Sequence, residues 1–208
     1  MARQQASGSD TVVDVSHWQG KAIDWVKVKA AGKLVVMIKA TQGTGTDDTW
    51  AINGPAAAAA GLVVIPYMFV SKESPQRQVD YFATAVQLKH GMPVAVDWEG
   101  NGAPPATTVE AVGHGLRAMT GRDPLGYWGL SPPGHPTDAM KAWPRWIPRY
   151  GVNNGKIDRK HPVDEPWLFW QYTSAAKVSG IGGNVDASVF AGTDAQLLAW
   201  CKTGTLPL

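Results

Sequence analysis

The chain has little of what usually announces a function. Its one cysteine, Cys201, cannot form an internal disulfide or build a zinc site by itself, which excludes a disulfide-stapled scaffold and a zinc finger. The five histidines, His17, His90, His114, His135 and His161, are scattered with no H-E-x-x-H pairing, so no metal and no cofactor is expected. Net charge is also small. Lys and Arg number 19 against 17 Asp and Glu over 208 residues, a balance that calls for neither nucleic acid nor an anionic membrane as partner. The most apolar stretch, residues 56–70, is shorter than the roughly 20 residues of a membrane span and is broken by Gly61 and Pro66, so membrane insertion is not expected. The opening residues 1–10 (MARQQASGSD) have no apolar run behind Arg3; they read as a disordered tail and not as a secretory signal.

What is present is apolar and aromatic. Hydrophobic residues make up 44% and charged residues 17%, which places the chain among globular proteins. Ten tryptophans stand out, and aromatic faces suit both a core and flat amphipathic ligands such as sugar rings. Most of them, including Trp25, Trp50, Trp143, Trp146, Trp167 and Trp200, are expected to pack.

Short β-branched runs alternate with helical patterns through the first 120 residues, the signature of βα units on a mostly parallel sheet. Strands are expected at 11–15, 34–39, 62–69, 93–97 and 125–128, with two more at 146–150 and 167–172. Between them, Asp24 reads as a helix N-cap, Asp48 as the start of a helix through the alanine run, and Ser74 with Pro75 as an N-cap and first-turn pair. Thr107 and Glu110 have capping-box spacing, and a last helix follows Thr193. After about residue 128 the alternation lapses into segments rich in Pro and Gly. No linker divides the chain, and the first strand lacks a dinucleotide-type glycine turn, so an open doubly wound sheet is disfavoured. The expected fold is a single-domain α/β TIM-like (β/α) barrel with fewer than eight helices, near the lower size limit for that architecture.

A barrel gathers its chemistry at the C-terminal ends of the strands. Those ends carry Asp14, Lys39 and Thr41, Tyr67 and Phe69, Asp97 and Glu99, Tyr127 and Trp128, Arg149 and Tyr150, and Trp170 to Tyr172. Together they describe an acidic cleft walled by aromatic rings, as a sugar chain would need. In Val-Ala-Val-Asp97-Trp98-Glu99 the two-residue period puts Asp97 and Glu99 on one face, about 6.6 Å apart at Cα. Two carboxylates so placed cannot both ionise freely, so one pKa rises and a general acid becomes available near neutral pH. The bland alternative, acids that cap a helix or pair with Arg, is outweighed once Asp14 also stands at a strand end.

The blocks Asp14-Val-Ser-His-Trp-Gln-Gly20, Ile38-Lys-Ala-Thr-Gln-Gly43, Tyr67-Met-Phe69, Val96-Asp-Trp-Glu99, Trp170-Gln-Tyr-Thr-Ser174 and Asn184-Val-Asp-Ala-Ser-Val-Phe190, with Ile23-Asp-Trp25 and Asp80-Tyr-Phe82, resemble the glycoside hydrolase family 25 lysozymes of the Chalaropsis type. The resemblance spans residues 12–190. It implies an N-acetylmuramidase acting on the β-1,4 bond between N-acetylmuramic acid and N-acetylglucosamine in bacterial peptidoglycan glycan strands, with residues 11–208 as the catalytic barrel; separately, a monomer is expected. By the same resemblance Glu99 is the general acid/base, Asp97 its stabilising partner, and Asp14 and Asp186 two further acids of the cleft. Tyr67 is a sugar-contacting residue; Tyr127, Tyr150 and Trp170 are substrate-binding candidates placed mainly by strand ends. Asp186 has a second reading as a turn residue bonding its own backbone, and His17 reads as a loop histidine without chemistry. The family usually has Glu where Gln42 stands and His where Met68 stands, and the segment 129–136 (GLSPPGHP) is unusual for it. Whether a protein carboxylate or the substrate's N-acetyl oxygen attacks the anomeric carbon is open, because i, i+2 placement falls between the separations of about 5 to 5.5 Å and 6.5 to 9.5 Å that mark retention and inversion. Two other functions compete: a chitinase-like hydrolase of another N-acetylated glycan, and a wall-binding module that has lost catalysis. Access to the wall without a secretory signal suits an endolysin released from a phage-infected cell.

Overall fold

A computed structural model of the chain describes residues 9–158, 160 and 162–205. Among them are nine strands and six helices: β1 (Ser9–Val15), α1 (Trp25–Ala30), β2 (Val35–Gln42), β3 (Gly45–Thr46), α2 (Trp50–Ala59), β4 (Val63–Phe69), α3 (Pro75–Val86), β5 (Ala95–Asp97), α4 (Ala106–Thr120), β6 (Leu125–Tyr127), α5 (Asp138–Lys141), β7 (Arg145–Pro148), β8 (Phe169–Ala176), β9 (Val185–Phe190) and α6 (Asp194–Thr203). The sheet runs β1-β9-β8-β7-β6-β5-β4-β2-β3, and pairing of β1 with β2 closes it into a barrel, leaving the two-residue β3 as a flap on β2. The barrel strands β1, β2 and β4 to β8 are parallel to their neighbours, whereas β9 is antiparallel to both β8 and β1, and the flap β3 is antiparallel to β2.

The strand period explains how the barrel fills. Val12, Val35, Met37, Ile65, Ala95, Leu125, Trp146, Phe169 and Phe190 point inward and pack as one cluster. The alternate residues, such as Val13, Val15, Val36, Ile38, Val94, Val96, Trp98 and Trp128, point outward beneath the helices and connecting segments in two further clusters. Two-sided burial is why these strands read as continuous apolar runs. Trp146 lies across the lumen, edge-on to Tyr127 at 4.5 Å and to Tyr67 at 6.1 Å, and its indole N–H donates to Ser188 Oγ at 3.1 Å. This ring is the floor on which the polar end of the barrel rests.

Several local expectations hold. Asp24 caps α1 by accepting from the Lys27 N–H, and Thr193 forms a capping box with Gln196 at α6. Pro75 opens α3 at its first position, although Ser74 makes no side-chain cap bond there. Others are corrected. Residues 9 and 10 of the expected tail belong to β1, held by pairing with β9; residues 1–8 lie outside the described residues. Thr107 sits inside α4, whose N-cap is Pro105, so the Thr107/Glu110 spacing is not a capping box. Residues 185–190 form a strand, which overturns the turn reading of Asp186. His17 lies in a short 3-10 turn, His17–Gln19, and its ring and backbone N–H both face Asp47 Oδ2, at 3.1 and 3.2 Å.

Candidate active site

The acids meet at one end of the barrel. Asp14 is the penultimate residue of β1 and stands directly opposite Asp186 near the start of β9. Because β9 runs antiparallel, its beginning lies at the same end as the finish of the parallel strands. Asp97 ends β5, in register with Phe69 of β4 on one side and Tyr127 of β6 on the other. Glu99 lies just past the strand end on the exposed rim, while Asp97 is only 6% exposed.

Burial governs the electrostatics. Removal from water holds the Asp97 carboxyl well above the usual carboxylate range; Glu99 pushes it further up and Lys39 opposes both. Asp97 Oδ1 is buried without a hydrogen-bond partner, a costly state for an ionised oxygen and a cheaper one for a protonated acid. Asp14 is likewise raised by burial and then by Asp186 beside it, while the Gln171 amide pulls it down. Asp186 is pushed up to about 6, chiefly by partial desolvation. Glu99 is raised by desolvation and lowered by Lys39.

Two residues not singled out as site residues hold this arrangement together. The Gln171 side-chain amide donates to both oxygens of Asp14, each at 3.0 Å, while its carbonyl accepts the hydroxyls of Tyr127 at 3.0 Å and Tyr150 at 2.6 Å. Lys39 is buried, its ammonium donates to Gln42 Oε1 at 2.7 Å, and it lies 4.8 Å from the centre of the Phe69 ring. Its desolvated ammonium is drawn down in pKa by burial, against the pull of Asp97, Asp47 and Glu99. The sequence signal was present in both cases: a polar residue on the inward period of an otherwise apolar strand.

Of the eight expected site residues, Asp14, Asp97, Glu99, Asp186, Tyr67, Tyr127 and Tyr150 converge on this cleft. Trp170 does not. It faces outward, fully buried against Trp167 and the apolar layer around the barrel, with its N–H donated to the Arg149 carbonyl at 2.7 Å. Its neighbour Gln171 takes the inward position instead, since adjacent strand residues face opposite ways. Met68 also faces outward, packed with Val79 and Phe82, so the departure there leaves the cleft unchanged, whereas Gln42 meets Lys39 directly. A cavity of about 880 Å³ near the starts of β6, β7 and β8, lined by Arg122, Trp143, Arg145 and Trp200 among others, contains none of Asp14, Asp97, Glu99 and Asp186.

Comparison with known proteins supplies a family likeness. The family model described as glycosyl hydrolases family 25 matches residues 13–181. Lysozyme M1 of Streptomyces globisporus is 31% identical over 208 residues, an alignment covering 90% of this chain and 69% of that protein. The crystal structure of a bacterial lysozyme from Streptomyces coelicolor superposes with a TM-score of 0.75 at 29% identity, covering 95% of this chain and 99% of the other. The catalytic domain of an endolysin from bacteriophage P40 of Listeria monocytogenes has the same fold, with a TM-score of 0.74 at 19% identity over 92% of this chain and 96% of that one.

Proposed function

The chain belongs to glycosyl hydrolase family 25, the lysozyme family, and from that membership together with the cleft we propose that it is an N-acetylmuramidase cutting the β-1,4 bond between N-acetylmuramic acid and N-acetylglucosamine. The observation that carries this reading is the pairing of a buried Asp97 with a rim-exposed Glu99 at one strand end, facing the Asp14 and Asp186 pair across the barrel mouth.

Glu99 is the general acid: raised in pKa yet reachable by solvent, it delivers its proton to the glycosidic oxygen as the C1–O bond breaks, then takes a proton from the water that attacks C1. Asp97 suits a different task. A carboxyl so buried and so raised in pKa is a poor nucleophile, but it can hold the N–H of the substrate's acetamido group so that the acetyl oxygen attacks C1. The product then keeps its anomeric configuration. Asp14 and Asp186, side by side and both raised in pKa, can share one proton and leave one negative charge beside the developing oxocarbenium charge, with Gln171 fixing the orientation of Asp14. Tyr67, Tyr127 and Tyr150 wall the sugar site.

The test is to digest purified peptidoglycan and identify the new chain ends. Reducing N-acetylmuramic acid is the expected product, with a rate unaffected by chelator. Reducing N-acetylglucosamine or freed amino groups would assign another bond and another reaction; wall binding with no new ends would mark a module without catalysis.

A further inference from the structure

Nine of the ten tryptophans pack: eight, Trp170 among them, are no more than 6% exposed and Trp50 is half-buried. Trp18 does the opposite, presenting 82% of its surface to solvent. A lone exposed apolar residue is ordinary, but this one is built in place. The turn that carries it is closed by a capping box between Ser16 and Gln19 and tied down by Asn53, whose side-chain amide donates to the Gly20 carbonyl at 2.9 Å. The His17 ring lies 4.7 Å from the indole at 36° to its plane, and His17 is itself fastened to buried Asp47, which also accepts from the Thr49 N–H and hydroxyl. The backbone that carries the indole and the imidazole beside it are thus held in place before a ligand arrives.

Its location gives the exposure a purpose. The turn follows Val15, the last residue of β1 and the neighbour of Asp14, and on one side Gln19 Nε2 donates to the Asn184 carbonyl at 3.5 Å, just before β9 and two residues before Asp186. On its other side Asp47 is near enough for its charge to act on Lys39 and Tyr67 inside the cleft. Trp18 therefore stands on the rim between the β1–β9 acids and the β2 wall. We propose that Trp18 is a stacking platform for a sugar ring of the glycan strand beyond the bond being cut, so that the enzyme grips an extended strand on an aromatic step next to its acids. The occupant is a glycan because the turn leaves β1 just past Asp14 at the acidic end of the barrel, and the apolar face of a pyranose complements an indole backed by an imidazole. This rests on the muramidase reading for the identity of the strand.

The experiment uses the full chain and soluble glycan strands of alternating N-acetylglucosamine and N-acetylmuramic acid, long and tetrasaccharide. Trp18→Ala is expected to raise KM on long strands roughly ten-fold with kcat within about two-fold, and to matter less on the tetrasaccharide, because a distal contact is made equally in ground and transition states. Trp18→Phe should recover part of the affinity. Binding of the same strands to Glu99→Gln, followed by tryptophan fluorescence, should weaken in the Trp18→Ala background. An unchanged KM, an equal fall in kcat on both substrates, or a change of sedimentation showing that Trp18 joins two copies of the chain would each overturn the platform. The two readings fail separately: if the unaltered chain releases no muramic ends but binds strands in a Trp18-dependent way, the muramidase assignment falls and the platform stands.

Discussion

The side-chain amide of Gln171 donates to both carboxylate oxygens of Asp14, 3.0 Å to each, across 157 residues of sequence. Its amide can point only one way, because Tyr127 and Tyr150 donate to its carbonyl oxygen on the opposite side. The two tyrosines thus decide, through Gln171, what Asp14 faces.

Replacing that amide by an acid inverts one end of the relay. Gln171→Glu keeps an acceptor for the tyrosines but sets a carboxyl against Asp14. Loss of a charge-assisted hydrogen bond is typically worth about 1.5 to 3 kcal/mol, so kcat should fall roughly ten- to hundred-fold near neutral pH. In acid, where the new carboxyl carries a proton and can donate as the amide does, part of the rate should return. A pH-independent loss would show that Gln171 matters only for packing.

Glu99→Gln should retain the fold, since the side chain stands on the exposed rim, while clearing of purified walls falls by about 100- to 10,000-fold for want of a proton donor. Turbidity assays and circular dichroism measured together decide the matter. A variant keeping more than about a tenth of the parent rate would remove Glu99 from the acid role.

Lys39 lowers the pKa of both Asp97 and Glu99. The proposed mechanism needs Glu99 protonated at the first step, so kcat should decline as pH rises through its raised pKa. Lys39→Met removes the opposing cation and should carry that alkaline limb to higher pH. Gln42→Glu, which gives the lysine a neutralising partner, should shift it the same way by less. A limb that stays fixed in Lys39→Met would assign it to another group.

Asp97 also bears on stability. Its folded pKa lies above its unfolded value, so its contribution to stability is fully present below about pH 4 and is lost as pH rises through the folded pKa. Asp97→Asn cannot ionise. It should therefore match the parent in Tm in acid and exceed it at about pH 8, while losing activity as severely as Glu99→Gln. Scanning calorimetry at both ends of the range checks the sign; a variant less stable than the parent at the alkaline end contradicts it.

The acidic strand ends were legible because the barrel's inward period is short and strict: Ala95 and Asp97 share a face whatever the helices do. The β9 strand was harder to see. Its segment Val-Asp-Ala-Ser-Val-Phe alternates weakly, and the preceding Gly183-Asn184 reads as a turn on its own. What makes it a strand is pairing with β8 and β1, a tertiary cause with no local mark. Trp170 was misplaced for a related reason: aromatic content marks a strand end, but only the register decides whether Trp170 or Gln171 faces the cleft. The Thr107 spacing does not cap α4 because Pro105 already stands at the N-cap two residues earlier, leaving the threonine inside the first turn.

The antiparallel β9 has a further consequence, for the order in which the molecule assembles. β1 finds β2 close by in sequence, but the gap beside it is filled by a strand from the far end of the chain. Loop-closure entropy makes such a pairing slow relative to the local βα units. Asp14 and Asp186 meet only through it, so a chain with every preceding unit folded still lacks half of its acidic cleft. Completion of the barrel and assembly of the four-acid cleft are therefore one event.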